Sequence, residues 1–184
     1  MKTISTSGKV YDLYWTTGRV VSAGKNMETR VHGGGGGGYS YQGTGGSAPV
    51  SITSTTVVHD QIFLEDKAGQ EHAFQLQNFN VACREGNELT ISWAIKKGTK
   101  TGPYIVSYNR TTGQVYYNDI ELKKIFRYPA WYPLIATLVC FFLGSAIGWG
   151  IAMMAIIAIW VAWFYLGLQE VRRFKSGTNF NDFN

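Results

Sequence analysis

The sequence predicts an all-β domain on the cytoplasmic side of a membrane, a small SH3-like or OB-like barrel or a sandwich, followed by a C-terminal transmembrane α-helical hairpin. Three observations lead there. Residues 1 to 125 break into short runs rich in Val, Ile, Thr, Tyr and Trp with turn residues between them, and no convincing amphipathic helix interrupts the series. Residues 131 to 169 contain no Asp, Glu, Lys or Arg. Basic clusters flank that run on both sides.

In the first 32 residues, Val10 to Trp15, Arg19 to Ser22 and Thr29 to His32 read as three strands. Of the fourteen residues 33 to 46, nine are glycine (33 to 38, 43, 45 and 46), which predicts a long flexible loop carrying Tyr39 and Tyr41. Loops longer than about 12 to 15 residues are uncommon unless they bind or are disordered, so the two tyrosines are candidate partner anchors. VSITSTTVV, residues 50 to 58, reads as a strand. DQIFLED and QEHAFQLQ, joined through Lys67-Ala68-Gly69, form the clearest hairpin. NELTISWAIK alternates strictly, with Leu89, Ile91, Trp93 and Ile95 on one face, predicting a strand that buries that face alone. PYIVSYNRTTGQVYYN is a second hairpin with Asn109 to Gly113 as its loop, and ELKKIF leads into a juxtamembrane linker over residues 126 to 130.

The membrane segment is placed at residues 131 to 168. A spanning helix needs about 20 apolar residues to cross about 30 Å of hydrocarbon, and this run approaches twice that length with GSAIGWG at its middle. Trp131 and Tyr132 open the run, Trp149 marks its centre, and Trp163 and Tyr165 approach its end, the clustering expected of interfacial aromatic anchors. At ~1.5 Å per residue the two legs are roughly 24 to 27 Å long, so each just crosses. Gly144 and Gly148 form G-x-x-x-G, assigned to the turn in preference to a self-association surface. Lys123, Lys124 and Arg127 precede the run and Arg172, Arg173 and Lys175 follow it, so the positive-inside bias puts both ends on the cytoplasmic side and assigns these six to lipid-headgroup contacts. The expected location is a bacterial-type cytoplasmic membrane, with residues 169 to 184 a polar tail.

The net charge of +5 contains no dense basic tract, so nucleic acid is not an expected partner. The N-terminal MKTISTSGKVYDLYW has no apolar core of a signal peptide, and Cys83 and Cys140 lie in the soluble and membrane parts respectively, which argues against a disulfide scaffold. Gly18 to Asn26 misses the phosphate-loop spacing by one residue and puts Asn26 where the hydroxyl belongs. His32, His59 and His72 are isolated in sequence, and neighbouring strand residues such as His59 and Asp60 face opposite sides, as a triad with Ser54 cannot allow. Asn109-Arg110-Thr111 matches a glycosylation sequon and is taken as turn residues. No metal, cofactor or catalytic centre is expected. The expectation is a non-enzymatic binding, scaffold or sensing module whose partners are membrane lipids and a protein or a second copy, with an oligomeric effector or pore as the alternative.

Overall fold

A computed structural model describes residues 2–6, 8–34, 38–41, 44–47 and 50–178, and at 38–41, 44–47 and 147 it describes the backbone alone. The elements run β1 (Lys2–Thr6), β2 (Lys9–Gly34), β3 (Gly38–Tyr41), β4 (Thr44–Ser47), β5 (Ser51–Glu65), β6 (Glu71–Gln77), β7 (Glu88–Lys96), β8 (Tyr104–Asn109), β9 (Gln114–Tyr117), α1 (Asp119–Phe126), α2 (Trp131–Ile147) and α3 (Trp149–Gly177). The large sheet is antiparallel, in the order β6-β5-β2-β7-β8-β9 with β1 beside β2. Its end strands do not meet. The expected barrel is therefore corrected to an open sheet, since the alternation of side chains that predicts strands is silent on whether the first and last strands pair. The chain divides into two compact units, Arg19–Asn87 and Met1–Gly18 with Glu88–Asn184.

In the unit Arg19–Asn87, β5 pairs with β6 and with the second half of β2. Val20, Ile62, Leu64, Phe74, Leu76, Phe79 and Val81 are buried. The separate strands expected before His32 are one strand, β2, bulged between Val20 and Ser22. Beyond that bulge β2 and β5 continue as a two-stranded ribbon in unbroken register to Gly33↔Ile52 and Gly34↔Ser51. Of the flexible loop expected over 33 to 46, the residues described are strand, and 35–37 and 42–43 lie outside the described residues. Gly33 and Gly34 finish β2, and β3 and β4 pair from Gly38↔Ser47 to Tyr41↔Thr44. Glycine tolerates an extended backbone, and pairing with Ser51 and Ile52 supplies the order that its own propensity lacks. The predicted β5–β6 hairpin closes through Asp66, whose Oδ1 accepts the backbone N–H groups of Ala68 at 2.8 Å and Gln70 at 2.9 Å.

In the other unit, β1 pairs with the start of β2, β7 with β8 and β8 with β9. Asn109 is buried and its Oδ1 accepts from the N–H groups of Thr111 and Thr112, both at 3.1 Å, fixing the β8–β9 turn. The expectation that β7 buries one face is corrected. Thr90, Ser92 and Ala94 are as buried as Leu89 and Ile91, and Thr90 satisfies its hydroxyl with Thr17 at 2.8 Å and Arg110 Nε at 2.8 Å. A small polar side chain that finds a partner does not have to face water.

The ELKKIF stretch is also corrected, from a connector to helix α1. Asn118 caps it, its Oδ1 accepting the Glu121 N–H at 3.2 Å, with Asp119 and Glu121 in the first turn and Lys123 and Lys124 in the last. Leu122, Ile125 and Phe126, spaced i, i+3 and i+4, form one apolar face. That face joins Tyr11, Leu13, Ala94, Ile105, Val106 and Val171 in a single core.

Candidate membrane interface

Among the described residues, helices α2 and α3 carry nineteen large apolar side chains, from Trp131 to Leu166, that are more than a third exposed. Phe142 is 71 % and Met154 68 % exposed. Soluble monomers ordinarily expose contiguous apolar patches of roughly 300–600 Å² at most, so this surface does not suit water. One helix, α3, is long and apolar enough to cross a membrane, and α2 meets that measure only together with α1, from which it is bent by 53°. The two transmembrane legs expected from sequence thus reduce here to one helix that qualifies unaided. The reason is length: α2 spans 17 residues.

The turn residues sit between these helices. Gly148, at φ 90°, separates α2 from α3 and donates its N–H to Gly144 O at 3.0 Å. Gly144 is covered by the Trp149 ring, whose nearest atom lies 2.9 Å from where a Cβ would stand. Phe141 meets the same ring edge-on at 5.3 Å. Farther along, Trp160 donates its Nε1–H to Thr137 Oγ1 at 3.0 Å, and Thr137 donates to Pro133 O at 2.7 Å.

At the other end of the apolar surface, aromatic and basic residues gather. The rings of Trp131 and Tyr132 stack at 3.9 Å, and Trp160 meets Trp163 edge-on at 5.8 Å. The guanidinium of Arg127 lies over the Trp163 ring at 4.9 Å, a cation–π contact. Tyr165 is exposed.

The six cations separate by partner. Lys124 pairs with Glu121 at 2.6 Å and Arg173 with Glu170 at 3.2 Å. Lys175 reaches Asp119 at 2.5 Å and lies 4.8 Å above the Tyr117 ring, whose hydroxyl donates to Lys175 O at 3.3 Å. Partial burial raises the Tyr117 phenol above its usual value of 10.0. Among the described residues no carboxylate lies within ion-pair distance of Lys123, Arg127 or Arg172.

Of the polar tail expected over residues 169 to 184, either unstructured or packed on the β domain, the part through Gly177 continues α3, and residues 179–184 lie outside the described residues. Val171 is buried in the β-domain core, and Phe174 meets Phe126 at 5.2 Å. The spacing of Leu168, Val171 and Phe174 holds the signal for an apolar helix face there.

The remaining candidates lie apart from this surface. The side chains of Tyr39 and Tyr41 are outside the described residues. Residues 18 to 26 lie within the extended strand β2, not in a loop before a helix. His32 is exposed, His59 faces Glu28 at 3.3 Å, and His72 faces Asp66 at 2.9 Å. The Arg30 hydrogen bond first, and His59 after it, hold the Glu28 carboxyl below its usual range, and His72 does the same for Asp66. Asp60 is buried, accepting the Val81 N–H at 2.8 Å, with Lys25 Nζ 3.9 Å from its other oxygen. Burial raises the Cys83 thiol, which disfavours its reactive thiolate form. Among the described residues no three His, Cys, Asp or Glu side chains gather as metal ligands.

No protein-family model matches the chain, and no curated protein or solved structure matches it either.

Proposed function

We propose that this chain is a membrane-anchored binding or scaffold module without catalytic activity, in which α2 and α3 cross the bilayer as a hairpin and hold the β domain and both chain ends at the cytoplasmic face. The observation that carries this reading is the apolar surface from Trp131 to Leu166, bounded at one end by Lys123, Arg127 and Arg172. Its two-legged form draws support from side-chain pairings that converge on Gly148, Thr137 with Trp160 and then Gly144 with Trp149, as in a chain that doubles back. The Trp160 bond to Thr137 ties α3 to α2 and satisfies the indole N–H within the protein. The basic residues flanking both helices favour their common end as the cytoplasmic one. The unit that holds β1, β7, β8 and β9 contributes the platform, because Val171 near the end of α3 belongs to its core.

Alkaline extraction and thiol labelling test this. The full chain is expected to stay in the membrane pellet at high pH. In sealed right-side-out vesicles of a chain lacking Cys140, a cysteine at Ser145 should react with an impermeant maleimide while one at Lys100 reacts only after permeabilisation. The opposite labelling, or release of the chain by alkali, overturns the proposal. Mass measurement of the detergent particle then separates a monomeric or dimeric module from a closed ring, and a ring would replace this reading with an oligomeric effector.

A further inference from the structure

A groove of about 270 Å³ lies where α1 meets α3. Lys123, Lys124 and Arg127 form one side, and Phe164, Gly167 and Leu168 the other, with Trp163 between them. The cations and the apolar wall are thus presented together. Lys123 is exposed and Arg127 touches the Trp163 ring, so two of the three charges have no carboxylate partner among the described residues. Phe164 is 63 % exposed and continues the apolar surface of α3 without a break. Gly167 keeps the slot open: the nearest atom to a Cβ placed there is Phe126 O at 4.0 Å, and the helix presents no side chain at that level.

We infer that this groove binds one anionic glycerophospholipid of the cytoplasmic leaflet, its phosphodiester held by Lys123 and Arg127 and one acyl chain laid against Phe164, Gly167 and Leu168. The inference rests on the membrane reading above and adds a specific ligand to it. Charge complementarity selects the anion. A soluble phosphate compound would leave the apolar wall wet, and a peptide would have to enter the hydrocarbon layer that Phe164 faces. A lipid places each part in its own solvent. The larger groove on the other side of Trp163, about 580 Å³ and lined by Tyr128, Tyr132, Ile159 and Leu166, has no cation on its wall and makes no such selection. Arg172 and Arg173 lie outside the cationic groove, and Arg173 already pairs with Glu170.

Native mass spectrometry of the full chain in detergent, titrated with phosphatidylglycerol or with phosphatidylcholine of the same acyl chains, tests the site. A cation close to a phosphate contributes about fivefold in affinity, so K123Q/R127Q is expected to lose roughly twenty-five-fold of phosphatidylglycerol binding and R172Q/R173Q little. Gly167→Leu, which fills the slot and leaves every charge in place, is expected to reduce retention at least tenfold. An unchanged thermal transition of the β domain verifies folding of each variant. Equal binding of the two lipids, equal loss in R172Q/R173Q, full retention in Gly167→Leu, or displacement by millimolar inorganic phosphate would each overturn the site. Flotation with phosphatidylcholine vesicles keeps the two readings apart: a chain that floats but shows no lipid preference loses this site alone, and a chain that does not float loses the anchoring with it.

Discussion

Within α3, Trp149 to Gly167 and Leu168 to Gly177 share one helical backbone, yet their side chains meet different surroundings. In the first part Trp149, Ile151, Met153, Ile157 and Leu166 are exposed on several sides of the helix, and the only fully buried side chain is Ala152. In the second, Val171 is buried among Leu122, Ile125 and Phe126, while Arg172 and Arg173 face out. A helix apolar on all sides needs an apolar solvent, whereas one with a single apolar stripe needs a protein surface. The apolar part of α3 therefore joins the β-domain core through continuous helix, whereas residues 127–130 between α1 and α2 are not helical. Val171 and Phe174 are contacts of α3 with that core.

The largest test exchanges a charge between the two parts. Val171→Asp places an unpaired carboxylate in the β-domain core and is expected to cost more than about 3 kcal/mol of domain stability, read as loss of the thermal transition. Ile157→Asp should leave that transition in place and instead weaken insertion by about 2.5–3.5 kcal/mol, read as release into the alkaline supernatant. If both variants unfold the domain, the division of α3 fails.

A smaller effect is expected at Trp160→Phe, which removes the indole donor to Thr137. Hydrogen bonds between membrane helices are worth about 0.6 kcal/mol on average, so crosslinking between cysteines on α2 and α3 should slow modestly with no change in the β domain.

The docked part also has its own alkaline limit. Burial raises the Tyr117 phenol in the folded state, so its contribution is complete below pH 10.0 and is lost as pH rises through the higher folded value. Amide exchange over residues 171–177, taken relative to its base-catalysed intrinsic rate, should therefore accelerate above pH 10, because the ionised phenol can no longer donate to Lys175 O. Tyr117→Phe removes the phenol's share of that onset, and an identical profile in the variant would assign the effect elsewhere. The least consequential change is Arg173→Ala. Its i, i+3 pair with Glu170 is exposed and worth about 0.2–0.5 kcal/mol, so the transition should move by a degree or two at most.

Much of this architecture is legible along the chain because it depends on local pattern. The uncharged run from Trp131, the glycine between its halves and the strands around Lys67-Ala68-Gly69 and Asn109 to Gly113 are set by residue type and spacing within a few residues. Pairings between distant segments decided the rest. Gly33 and Gly34 are extended because β5 lies beside them, Thr90 is buried because Thr17 and Arg110 satisfy it, and Leu122 finds its core only when Val171, almost fifty positions later, arrives next to it. Hydropathy dictated that residues 131 to 169 avoid water, since that preference is a sum over individual side chains. Whether the sheet closes and where α3 changes from exposed apolar helix to part of the β-domain core depend on which surfaces meet, and no single stretch carries that information.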